Sequence, residues 1–267
     1  MKKLIAILMM LVMLTGSALA NEVVNLYDVT VDDTYQITLS KKTHFYGDGL
    51  QDHYKVQQGC ATDGKYAYFL LESKVTLKCA LFKVDLSDWS IVDVRYDVPV
   101  GHGNDMTYNP KTGLLVVVHN KPDYDTISFI DPDTLEIVGQ KKLTVNMFSI
   151  AYNESRDMYV VGLSGSQNFS FLDSEFNEIE FHPVEHTGYI TQGADCDDNY
   201  IYFPQWDDKN YANYVIVYDW DGNLVNKIKV KNMNEIESMC HVGDRVIIAF
   251  YAAKTVVYEA KVEKVEK

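Results

Sequence analysis

One phrase recurs five times along this chain, and the recurrence constrains the fold more than any other feature. It reads Gln58-Gly-Cys-Ala-Thr-Asp63, Asn104-Asp-Met-Thr-Tyr-Asn109, Ser149-Ile-Ala-Tyr-Asn153, Gln192-Gly-Ala-Asp-Cys-Asp197 and Glu237-Ser-Met-Cys-His241, each followed by an apolar run. A period of about 45 residues is that of a four-stranded propeller blade, a unit that buries its sheet faces only by stacking on its neighbours. Each repeat has the same grammar: a short strand, an Asp/Asn/Gly turn, an apolar strand such as Leu114 to Val118, a third strand ending in Asp (Asp85, Asp131, Asp219), and a fourth. The segment Asp219-Trp-Asp-Gly222 reads as a plain hairpin turn, since the spacing and closing Glu of an EF-hand are missing. The fifth repeat has room for only three strands before Lys267, while Val23 to Val29 and Tyr35 to Leu39 supply spare strand material near the N-terminus. The expected fold is therefore all-β: residues 21–267 form one closed five-bladed β-propeller of four-stranded blades, the last blade completed by an N-terminal strand, which removes open sheet edges.

The first twenty residues have another purpose. Lys2 and Lys3, an apolar stretch from Leu4 to Leu14 and the small-residue ending Ser17-Ala-Leu-Ala20 form a signal peptide pattern with cleavage expected after Ala20. The apolar stretch is too short for a bilayer span of about 20 residues, and no Cys follows it before Cys60, so neither a membrane anchor nor a lipid anchor is expected. The chain is thus expected to be secreted or extracytoplasmic. A net charge of −14 argues against nucleic acid and anionic membrane surfaces as partners. Export permits disulfides, yet Cys60, Cys79, Cys196 and Cys240 are dispersed in apolar, strand-like contexts and read as small buried hydrophobes. The expected state is a monomer.

Two segments carry a family resemblance. Ile130-Asp-Pro-Asp-Thr-Leu-Glu-Ile-Val138 and Val217-Tyr-Asp-Trp-Asp-Gly-Asn-Leu-Val225 resemble blade hairpins of quinoprotein-like and lactonase-like propellers, which implies a fold and no particular activity. Gln57-Gln58-Gly59, Thr191-Gln192-Gly193 and Asn234-Glu235-Ile236-Glu237 are also similar to motifs of the glutaminyl-peptide cyclotransferases, five-bladed propellers in which a catalytic Glu follows the first motif. On that resemblance Glu72 is the counterpart, a few residues later than the family places it. The family's pocket tryptophans have no match in Trp89, Trp206 or Trp220.

In a propeller the first strand of each blade lines the central channel, so Gln58, Asn104, Ser149, Gln192 and Glu237 form a polar ring, with His102, Asp105, Asp195 and Glu235 at one mouth. Three readings of the ring follow from its chemistry. Its side chains hydrogen-bond one another as a plug; or they bind a polar ligand; or their oxygens hold a hard cation such as calcium, with Asn104 and Glu237 as candidate ligands. Catalytic candidates are Glu72, Asp105 and Glu237, the last two as a pair of the kind glycosidases use. Trp206 and Tyr211, expected in a loop beside Asp207, Asp208 and Asn210, suit stacking on a sugar ring. The expected function is recognition of a polar small molecule, glycan, peptide or envelope component by an exported propeller. The alternative is a glutaminyl cyclotransferase-like or hydrolytic enzyme using the axial carboxylates.

Overall fold

A computed structural model describes residues 35–46, 50–251 and 253–264. The expected signal peptide and the strand expected over Val23 to Val29 lie outside the described residues. These form strands and turns, and no helix among them is long and apolar enough to cross a membrane.

Five antiparallel sheets follow one another along the chain. The first blade is β2 (Tyr54–Thr62), β3 (Tyr66–Ser73), β4 (Cys79–Asp85) and β5 (Ile91–Val98). The second is β6 (Asp105–Asn109), β7 (Leu114–Val118), β8 (Thr126–Ile130) and β9 (Ile137–Lys142); the third is β10 (Met147–Asn153), β11 (Met158–Leu163), β12 (Phe169–Asp173) and β13 (Glu178–His182). In the fourth, the inner strand is split into β14 (Ile190–Thr191) and β15 (Asp195–Cys196), both paired to β16 (Tyr200–Asp207), which is followed by β17 (Ala212–Asp219) and β18 (Leu224–Val230). The fifth is β19 (Glu235–Val242), β20 (Arg245–Tyr251) and β21 (Thr255–Lys264), with β1 (Tyr35–His44) as its outermost strand. The pairing runs from Tyr35 opposite Lys264 to His44 opposite Val256, so the N-terminal strand closes the last blade as expected.

Burial explains the strand grammar. Middle strands are buried on both faces and read as continuous apolar runs, Leu115 to Val118 being at most 1% exposed. Outer strands alternate or lie mostly in solvent, as in β9 and β13, and their edges carry Lys141, Lys142, Glu178 and Glu180, charges that discourage pairing with another chain. Five apolar clusters fill the five gaps between blades. The one joining the last blade to the first packs Phe45, Phe69 and Phe82 against Ile247, Ala249 and Val257.

The recurring acids and amides are turn builders. Asp63 accepts the N–H groups of Lys65 and Tyr66 and the Tyr68 hydroxyl, and Asp197 repeats this with Asn199, Tyr200 and Tyr202. Asn109 and Asn153 cap the equivalent turns. At the ends of the third strands, Asp85, Asp131, Asp173 and Asp219 accept amide protons two to four residues on, which makes Asp219-Trp-Asp-Gly222 a hairpin turn. One expectation is corrected. The phrase Gln192 to Asp197 is not a continuous strand, because the Ala194 amide turns into the axis to donate to Asp105 Oδ2 at 2.9 Å.

Inner strands approach so closely that some positions tolerate no side chain. A Cβ on Gly59 would stand 2.6 Å from the Asp105 carbonyl carbon and the Met106 nitrogen, both backbone. Gly59→Ala is therefore expected to destabilise the protein by about 1–3 kcal/mol in urea unfolding. Gly139→Ala on outer strand β9, where the new methyl would only touch Phe129 at 3.4 Å, should stay within about 0.5 kcal/mol of wild type.

Candidate functional site

Inner strands begin at one mouth of the axis and end at the other, and the two mouths differ. At the first lies the ring read from the sequence, and all of it is buried: Gln58, Asn104, Ser149, Gln192 and Glu237. Beside it Asp105, the first residue of β6, is 0% exposed. Its Oδ2 accepts N–H groups from Ile150 of the third blade and Ala194 of the fourth, each at 2.9 Å. Its Oδ1 has no hydrogen-bond partner and faces Gly193, where a Cβ would lie 3.4 Å away. Burial pushes the Asp105 carboxyl well above the usual range, opposed by the amides that bond it.

Part of the ring is hydrogen-bonded, while Ser149 Oγ is buried without a hydrogen-bond partner among the described residues. Asn104 Nδ2 donates to the Phe148 and Gln192 carbonyls at 2.9 and 3.4 Å, and Asn104 Oδ1 accepts from Asn120 at 3.0 Å. Gln57 Nε2 donates to the Gln58 carbonyl at 2.8 Å and to Ser238 Oγ at 3.2 Å. Gln192 Nε2 donates to Glu235 Oε1 at 2.7 Å, and His102 Nδ1 meets Glu72 Oε1 at 2.9 Å. The ladder between β19 and β20 shifts register between Ile236 and Ser238, which leaves Glu237 as the extra residue of a bulge, turned out of the pairing. Burial first, then Glu235 and Glu72, raise the Glu237 carboxyl well above its ordinary value. Glu72, His102, Gln192, Glu235 and Glu237 thus share one mouth.

This arrangement does not fit calcium. Asn104 Oδ1 is already bonded, and Gln192 turns its amide nitrogen toward Glu235. Among the described residues no three His, Cys, Asp or Glu side chains are grouped to hold a metal. The pairing of Asp105 with Glu237 as acid and base is equally poor, since Asp105 Oδ2 is occupied by two amides.

The aromatic pair is also corrected. Trp206 belongs to strand β16 and is 7% exposed, whereas Tyr211 in the following hairpin is 68% exposed. Their rings meet edge to face, 6.0 Å apart at 75°, so Tyr211 offers one open face and Trp206 only supports it. Tyr211 lines a separate hollow of about 360 Å³ with Lys229, Lys231 and Met233.

An open axial volume lies at the opposite mouth. A throat of about 90 Å³ widens into a funnel of about 390 Å³. Thr62, Tyr108, Tyr152, Cys196 and His241, one residue from each blade, line both. Asp63, Glu154, Asp197 and Asp198 stand around the funnel. Asp195, expected beside the first ring, instead points into this throat, where its Oδ2 meets His241 Nδ1 at 2.8 Å and raises the imidazole pKa to about 9. Sequence reasoning took the first residue of each repeated phrase as the site and missed this second ring. The signal was present in the same phrases, whose far ends carry Thr62-Asp63, Tyr108-Asn109, Tyr152-Asn153, Cys196-Asp197 and His241. About four residues at a rise of ~3.3 Å each separate the two rings along a strand.

No family model matches the chain, and no curated protein matches it in sequence. In shape it is similar to Kuenenia stuttgartiensis hydrazine synthase, at a TM-score of 0.46 and 10% identity over 78% of this chain and 59% of that one. It is also similar to BamB from Moraxella catarrhalis (0.38, 9%, 75% and 57%) and to a chain of a nidogen/laminin complex (0.48, 12%, 77% and 97%). The chain spans less than two thirds of the first two structures. At these scores the likenesses carry no functional argument, and the five-bladed propeller rests on the strand pairing itself.

Two pH effects follow. Folding raises the Glu237 pKa, so the stability linked to its proton is complete below the unfolded value of about 4.3 and is lost as pH climbs toward the folded one. Glu237→Gln should match wild type near pH 4 and exceed it by about 1–2 kcal/mol at pH 7–8 in urea unfolding, with no shift from calcium or chelator in either protein. His241 also has a raised pKa, so its pair with Asp195 contributes fully below about pH 6.5 and is lost as pH rises through about 9. An NMR titration of the His241 ring should show a midpoint near 9, moving back toward about 6.5 in Asp195→Asn.

Proposed function

We propose that this protein is an exported recognition propeller that holds the cationic end of a polar ligand, an amine or a basic peptide side chain, in the axial funnel. One observation carries the reading: five blades converge on a funnel of about 390 Å³ walled by the tyrosine rings of Tyr108 and Tyr152 and the carboxylates of Asp63, Glu154, Asp197 and Asp198. That volume lies within the roughly 300–1,000 Å³ of small-ligand sites. Aromatic faces attract cations, and carboxylates in a concave wall focus the field that steers them in. The overall charge of −14 adds to the attraction. Export is supported by Lys2, Lys3, the apolar stretch from Leu4 to Leu14 and the Ser17 to Ala20 ending.

The other readings draw less support. A glycan platform of Trp206 and Tyr211 lacks one open face. Against hydrolysis or cyclisation at the axial acids, two amides hold Asp105 Oδ2 and His102 holds Glu72, and the remaining Asp105 Oδ1 and Glu237 are buried.

Titration calorimetry of the mature protein with spermidine, arginine amide, neutral hexoses and glutamate tests the proposal. Binding of the two cations, weakening with salt, is expected. Glu154→Gln and Tyr108→Leu should each weaken Kd by about three- to tenfold, roughly 1 kcal/mol. Binding of a neutral sugar without cation binding, or turnover of a peptide with N-terminal Gln, would overturn it.

A further inference from the structure

The ring closes where the fifth blade meets the first, and this seam holds two thiols that sequence separation conceals. Cys60 of β2 and Cys240 of β19 are about 180 residues apart in the chain, yet they pack in one apolar cluster, and the Cys60 thiol raises the pKa of the Cys240 thiol. Both are buried, at 2% and 5% exposure, in the apolar cluster shared by the two blades. Both also line the throat beneath the funnel. Other seam contacts hold the two strands in place: Gln57 Nε2 to Ser238 Oγ at 3.2 Å, Thr255 Oγ1 to the Lys55 carbonyl at 3.1 Å, and Arg245 Nη2 to the Leu86 carbonyl at 3.4 Å.

The remaining two cysteines are placed differently. Cys79 directs its Sγ to the carbonyls of Gly101 and His102 at 3.6 and 3.4 Å, between the first and second blades. Cys196 is buried in the cluster between the third and fourth blades. Cys196 also lines the throat, but from the cluster of the third and fourth blades, whereas Cys60 and Cys240 share one cluster.

We propose that Cys60 and Cys240 form a disulfide that staples the last blade to the first when the chain folds in the presence of a disulfide oxidant such as oxidised glutathione. The Cys240 thiolate attacks one sulfur of the oxidant, making a mixed disulfide and releasing one reduced thiol. The Cys60 thiolate then attacks the Cys240 sulfur, making the Cys60–Cys240 bond and releasing the second thiol. The two protein thiols lose two protons and two electrons, and the oxidant's disulfide takes up both electrons. Once the seam is closed, the neighbouring Cys60 thiol and then burial raise the Cys240 thiol well above its ordinary pKa, so the bond forms during folding and not by later attack on the finished ring. A link between residues so far apart removes a large share of unfolded-chain freedom.

The experiment is to refold the reduced, denatured mature protein with and without a mixture of reduced and oxidised glutathione. With the redox pair, the wild type should lose two hydrogens in mass and show two titratable thiols in denaturant in place of four. Peptide mapping should join the Cys60 and Cys240 peptides. The oxidised form should melt at least about 5 °C above the reduced one, and dithiothreitol should abolish the difference. Cys60→Ala should show neither the mass loss nor any effect of dithiothreitol, while Cys79→Ala should behave as wild type. Four free thiols after oxidative refolding, or a link that uses Cys79 or Cys196, would overturn the proposal. The wild-type mapping decides it even if a variant fails to fold.

Discussion

A single buried carboxyl organises the centre of this propeller. Asp105 Oδ2 draws backbone N–H groups from two other blades, at Ile150 and Ala194. Such bonds are strong where water is excluded, and each amide would be costly to leave unpaired. The demand of Ala194 for this partner interrupts the fourth inner strand. The same crowding requires Gly59, because a side chain there would strike the Asp105 backbone. Asp105 therefore sets the spacing of the inner strands and shuts the channel between its two mouths.

That closure gives the mouths different chemistry. On one side, buried amides and acids are joined in part, from Asn104 to Gln192 and from Gln192 to Glu235, and burial favours the neutral forms of Glu237 and Glu235. On the other, acidic residues line an open funnel. Several of those acids have a structural task first. Asp63 and Asp197 bind the amides of the turns that lead into the second strands. Because every blade turns at the same height, the turn residues gather around the axis, and a requirement of local backbone bonding becomes a concave, negative surface. His241, held by Asp195, stands in the throat between the funnel and the dry interior.

The seam between the last and first blades is the point where a ring of similar units needs extra fastening. Every other neighbour is joined by a continuous chain, but this junction depends on the β1–β21 pairing, the apolar cluster around Phe45 and Phe82, and the bonds from Gln57, Thr255 and Arg245. Lys42 and Arg245 both reach Glu259, at 2.9 and 3.3 Å, which ties β1 to the inner part of the same blade.

The sequence by itself determined the number of blades, their strand grammar and the N-terminal closure. These follow from local rules: a period near 45, apolar runs where strands are buried on both faces, and Asp or Asn where a turn needs its amides bonded. It also brought Gln58, Asn104, Ser149, Gln192 and Glu237 to one level, since equivalent repeat positions must meet at one height on the axis, but it set Asp195 at the wrong mouth. Only the tertiary structure decided that the mouth at the ring is filled in part by its own bonds while the other is open, that Trp206 is buried, that Gln192 to Asp197 breaks for Asp105, and that Cys60 and Cys240 share one cluster. Each of these depends on distances between blades, across about 45 to 180 residues of chain, and a repeating pattern specifies which face a side chain takes but not how closely its counterpart in another repeat approaches.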